Sequence, residues 1–129
     1  MTAPHLRSTE RSRPLVAVVC AVPLLSEGME SVLEFAEVRA FSGRGGDVGG
    51  LLQWLRPDAV VVDDDVNADG AAAYAAEWEI PVVHICVRRR ELRLFHRGDW
   101  NVVSDGDGPT PEVIRNVVAG ALFAREGVR

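Results

Sequence analysis

Apolar residues along this chain follow two rhythms. "LVAVVCAV" (15–22) is an unbroken apolar run of strand length, rich in valine, and "DAVVVDD" (58–64) and "IPVVHICV" (80–87) repeat the pattern. Runs without polar alternation belong to strands covered on both faces, as in parallel sheets. Between them the spacing turns helical. Leu25, Met29, Val32 and Leu33 share one side of "PLLSEGMESVLEFAE". Val48, Leu51, Leu52 and Leu55 stand at i, i+3, i+4 and i+7, with Asp47 placed as N-cap and Pro57 as the stop. After "DVNADG" an alanine-rich segment sets Tyr74 and Trp78 one turn apart. "VRAF" (38–41) reads as a short second strand that runs into the glycine-rich turn "SGRGGDVGG". Strands alternating with helices through short connections predict a parallel sheet with helices on both faces.

The alternation breaks after the fourth strand. Only "RRRE" separates it from the apolar alternation "LRLF", whereas a parallel crossover needs about a dozen residues or more. The strand from Leu92 to His96 is therefore expected to run antiparallel to its predecessor. "RLFHRGDWNVV" reads as a hairpin with Gly98 in the turn. An acidic loop, "SDGDGPT", follows. Thr110 as N-cap and Pro111 at the first helical position then open a last helix whose buried stripe is Ile114, Val117, Val118, Ala121 and Leu122. The fold class expected is α/β: a three-layer, flavodoxin-like parallel sheet with a C-terminal β-hairpin in place of the last helical crossover. Residues 1–14 are polar, with three arginines and two prolines, and read as a flexible leader. Residues 15–126 read as one domain.

Composition narrows the function. The 129 residues suit a single domain, with 47% apolar and 26% charged residues. Neither a membrane span nor a signal peptide is visible, so a cytoplasmic location without membrane partners is expected. A net charge of −5 argues against generic nucleic-acid binding. All 14 basic residues are arginine, a bias in keeping with a high-GC bacterial genome. The chain has no lysine, which removes every mechanism that needs an ammonium group. Cys20 and Cys86 lie in apolar runs without CxxC neighbours, so buried thiols are expected rather than a zinc site or disulfide framework.

Taken in order, "VVCAVPLLSEGMESVLE", with Pro23, Glu27 and Gly28, then "GGLLQWLRPDAVVVDDD", Asp69-Gly70 and "IPVVHICV", resemble the receiver domains of bacterial response regulators. The branch with a helix-turn-helix output domain is the most similar. The resemblance spans about residues 15 to 87. It implies that Asp63 stands at the phosphoacceptor position. The acidic pair that holds magnesium is replaced by Cys20 and Ala21, and the hydroxyl-bearing switch residue by Cys86, a poorer hydrogen-bonding group. The lysine that contacts the phosphoryl group is missing, and the segment for the fourth helix is deleted. Phosphoryl transfer depends on positioning and charge neutralisation by a divalent ion and a cation. The expectation is thus a pseudo-receiver, with Asp63 a helix cap or a solvated carboxylate. Asp64 and Asp65 do not complete a cation site, because adjacent residues on an extended chain point alternately.

Three other constellations carry chemistry. The crevice beyond the strand ends is expected to gather Cys20, Asp63 and Cys86, with His84 as a further soft ligand; a thiol and an imidazole packed under a helix is the plainer reading. Cys20 followed by Ser26 resembles phosphocysteine carriers and small phosphatases, but "CAVPLLS" lacks the glycines and arginine of a phosphate loop, and Pro23 removes a donor. "GRGGDVGG" lacks the lysine and hydroxyl of a nucleotide-binding loop. Finally, "RRRELRLFHR" brings Arg88, Arg89, Arg90, Arg93 and Arg97 near Phe95 and Trp100, as a guarded sheet edge or a docking surface. The leading expectation is a non-enzymatic, stand-alone, phosphorylation-independent pseudo-receiver without cofactor or metal. It would bind protein partners and form a homo-oligomer through the remodelled edge. The alternatives are a cysteine- or metal-dependent enzyme built on Cys20, and an atypical receiver phosphorylated at Asp63.

Overall fold

The computed structural model describes residues 13–42, 47–104 and 109–127. The leader up to residue 12, the middle of the glycine-rich turn and most of the acidic loop lie outside the described residues. Six strands form one sheet: β1 (Leu15–Cys20), β2 (Glu37–Ser42), β3 (Ala59–Val62), β4 (Val82–Cys86), β5 (Glu91–His96) and β6 (Asp99–Ser104), in the order β2-β1-β3-β4-β5-β6. The first four are mutually parallel, with Val19 between Phe41 and Val62, and Val62 opposite His84. β5 runs antiparallel to β4, and β6 antiparallel to β5. The sheet is therefore mixed, because four residues cannot carry the chain back for another parallel strand.

Four helices connect or follow the strands: α1 (Pro23–Val32), α2 (Val48–Leu55), α3 (Asp65–Trp78) and α4 (Pro111–Gly127). Alternate residues of β1 feed two separate cores. Val16, Val18 and Cys20 join Met29 of α1 and Leu33 just after it with Ile114, Val118 and Leu122 of α4. Ala17 and Val19 join Val48 and Leu52 of α2 with Ala68, Ala71, Tyr74 and Ala75 of α3. This is the period-two geometry of a strand buried on both sides.

The punctuation residues act as their chemistry requires. Asp47 caps α2 by accepting from the Gly50 N–H at 2.9 Å, and Thr110 caps α4 through the Val113 N–H at 3.2 Å. α1 is shorter than its apolar pattern. It stops at Val32, and a tight turn lets the Glu37 N–H donate to the Pro14 carbonyl at 2.8 Å, which starts β2 beside β1. No helix among the described residues is long and apolar enough to cross a membrane.

Candidate functional site

The register between β1 and β3 sets Val19 opposite Val62, so the residues just beyond them, Cys20 to Val22 and Asp63, meet at the strand ends. Both oxygens of the Asp63 carboxylate are engaged there. One oxygen accepts the Ala21 N–H at 2.6 Å, and the other accepts the Val22 N–H at 3.1 Å. The backbone after β1 thus presents two donors to the aspartate. Such charge-assisted bonds pin the loop between β1 and α1.

A matching clamp sits at the opposite end of the same strand pair and was not foreseen from sequence. Asp58, just before β3, accepts the Leu15 N–H at 2.8 Å while its own N–H donates to the Leu15 carbonyl at 2.7 Å. The two aspartates flanking β3 thus hold both ends of β1. The Pro-Asp pair before the strand was the available signal.

The three consecutive carboxylates diverge. Asp64, not Asp63, caps a helix: it accepts from Val66 and Asn67 N–H groups of α3 at 3.0 and 3.2 Å. The cap falls one residue later than expected because Asp63 is still aligned with the strand. Asp65 is 88% exposed, with one oxygen 3.4 Å from Nε2 of buried His84. Among the described residues, no group of three or more His, Cys, Asp or Glu could hold a metal ion.

The expected gathering of Cys20, Asp63 and Cys86 does not form. Cys20 is wholly buried in the core beneath α1 and α4. His84 and Cys86 alternate with Val83 and Ile85 and so face the other side of the sheet. Complete burial also closes Cys20 to any substrate, which removes the basis for a nucleophile there. Cys86 Sγ lies 3.4 Å from His84 Nδ1. Burial pushes the Cys86 thiol up, against the pull of Arg93. Burial likewise pushes His84 down, against the pull of Asp65. Both directions favour a neutral thiol beside a neutral imidazole, the opposite of an activated thiolate–imidazolium pair.

The arginine patch divides. Arg88, Arg89 and Arg90 occupy the turn between β4 and β5, closed by the Arg90 N–H on the Val87 carbonyl at 3.2 Å. Arg97 lies in the turn at the far end of six-residue β5, about 20 Å away. Arg93 lies between them, its guanidinium 5.0 Å from the Trp100 ring centre. Phe95 is buried and packs on Trp100 at 5.3 Å, so it supports this surface rather than lining it. His84 meets the same indole edge-on at 5.9 Å.

No protein-family model matches the chain, and no curated protein matches it. Two solved structures share its fold. The anti-anti-sigma factor PhyR from Bartonella quintana aligns with a TM-score of 0.63 at 15% identity, over 96% of this chain and 53% of that one. The response regulator PhyR from Brucella abortus aligns with a TM-score of 0.63 at 19% identity, over 96% and 55%. The chain spans about half the length of each. At these identities the likeness shows the fold, which is receiver-like, as the sequence resemblance implied.

Proposed function

We propose that the chain is a non-enzymatic, phosphorylation-independent pseudo-receiver that works as a protein–protein interaction module in bacterial signalling. In this reading the scaffold is the three-layer flavodoxin-like one, with the antiparallel β5–β6 pair in place of the last helical crossover. The observation that carries it is the Asp63 carboxylate, with one backbone N–H on each oxygen. Both donors come from the loop that would otherwise bear the magnesium-binding pair. An incoming phosphoryl group would have to displace those bonds, and the chain has no lysine to neutralise it. The neutral Cys86–His84 pair and the burial of Cys20 argue equally against cysteine chemistry. One structural neighbour is described as an anti-anti-sigma factor. A regulatory role of that kind, exerted through protein partners in the cytoplasm, suits a scaffold kept without its phosphorylation apparatus.

The test is incubation with magnesium and acetyl phosphate, followed by intact-mass measurement. No phosphoryl adduct is expected. A stoichiometric adduct that disappears in Asp63→Asn would overturn the proposal.

A further inference from the structure

His84 is 2% exposed, and three elements besides its own strand close around it. From α3, Asp65 brings an oxygen to 3.4 Å from Nε2, with Asp64 and Asp63 acting more weakly from the same side. From β5, Arg93 stands directly opposite His84 in the cross-strand register, and Glu91 stands opposite Cys86. From β6 comes the uncharged Trp100, edge-on at 5.9 Å. On β4 itself, Cys86 Sγ lies 3.4 Å from Nδ1. Arg93 and Trp100 form one unit over this group, the guanidinium 5.0 Å from the ring centre.

We propose that His84, Arg93 and Trp100 form a proton-sensitive latch: the neutral imidazole lets the β5–β6 hairpin close against β4, and mild acid loosens β6. The reason lies in the register. A proton on His84 sets two cations directly opposite each other across β4 and β5, an arrangement that weakens strand pairing. It also puts a charge in a buried site that Trp100 covers. The carboxylates of Asp65, Asp63 and Asp64 pull the other way. Burial outweighs them, with Arg93 adding to it, so folded His84 takes up its proton less readily than an exposed histidine does. Protonation therefore favours a conformation that returns the imidazole to water.

β6 is the element that can give way. It borders the sheet, it is held by the ladder to β5, and that ladder is interrupted by a bulge beside Arg93. Lifting β6 takes Trp100 off the imidazole and leaves the four parallel strands paired. The latch goes beyond the interaction-module reading and does not rest on it.

Hydrogen exchange of the full-length protein, followed by NMR between pH 8 and pH 5, tests the proposal. Each rate is expressed as a protection factor, which removes the intrinsic pH dependence of exchange. In the native chain, protection of β6 amides should stay level above about pH 6.5 and then fall, by up to about ten-fold per pH unit, until the lower folded pKa is reached. His84→Gln should hold it level throughout. Arg93→Gln keeps the histidine and removes the opposing cation, so the fall should be smaller. Level protection of β6 in the native chain beside falling protection of β3 would overturn the proposal, because His84 would then meet water only through global unfolding. A fall that persists in His84→Gln would assign the response to His96, which stands opposite Asp99 in the hairpin, and would overturn it too. A fall of full size in Arg93→Gln would remove the like-charge pair, and the latch with it.

Discussion

A carboxylate that accepts two backbone N–H groups holds structure before it does chemistry. Replacing Asp63 with alanine leaves the Ala21 and Val22 donors without their acceptor. Unmet donors of this kind cost about 1–3 kcal/mol, so thermal denaturation of Asp63→Ala should show a midpoint several degrees lower. An unchanged midpoint would mean that the loop does not depend on Asp63. Sequence placed Asp63 at the end of its strand but could not identify these partners, which lie 42 and 41 residues away and meet it only through strand register. His84 makes a second residue-scale test. Burial holds its pKa below the ordinary value, with Asp65 opposing. The unfolded chain therefore binds the proton more readily, so this contribution to stability is complete above about pH 6.5 and is lost as pH falls through the lower folded value. Denaturation midpoints measured between pH 8 and pH 5 should fall more steeply for the native chain than for His84→Gln. Parallel curves would contradict this.

Turns make the next scale testable. The loop between β5 and β6 has two residues in the left-handed region, Arg97 at φ 56° and Gly98 at φ 87°. That is the pattern of a type I′ turn, which prefers Asn-Gly and matches the twist of the flanking strands. Arg97→Asn should raise stability by a few tenths to about 1 kcal/mol, and Gly98→Val should lower it by about 1–2 kcal/mol, both measurable by urea titration. A stabilising Gly98→Val would refute the turn assignment. At this scale much was legible: unbroken valine runs gave the buried strands, and a four-residue connection gave the antiparallel return. The arginine cluster was misjudged because closeness along the chain was read as closeness in space. A strand of six residues carries Arg97 to the far end from Arg88, Arg89 and Arg90. The spacing needed to see this was already in the sequence. The shift of the helix cap from Asp63 to Asp64 was not, because three identical side chains offer no pattern to separate them.

For the molecule as a whole, strand order determines which parts open first. β1, β3 and β4 each have a strand on both sides, and β1 and β3 are covered on both faces, whereas β2 and β6 border the sheet. Amides of the central strands should exchange with solvent only through global unfolding, and those of β6 through local opening. The bulge strengthens this expectation, because it interrupts the one ladder that β6 makes. Hydrogen exchange at millimolar and micromolar protein concentrations also tests the homo-oligomer expected from sequence. An oligomer that covers β6 must protect its amides more strongly as concentration rises. A monomer leaves them equally fast at both. Concentration-independent fast exchange in β6, beside slow exchange in β3, is the expected result. Concentration-dependent protection of β6 alone would mean that a second copy covers that edge of the sheet.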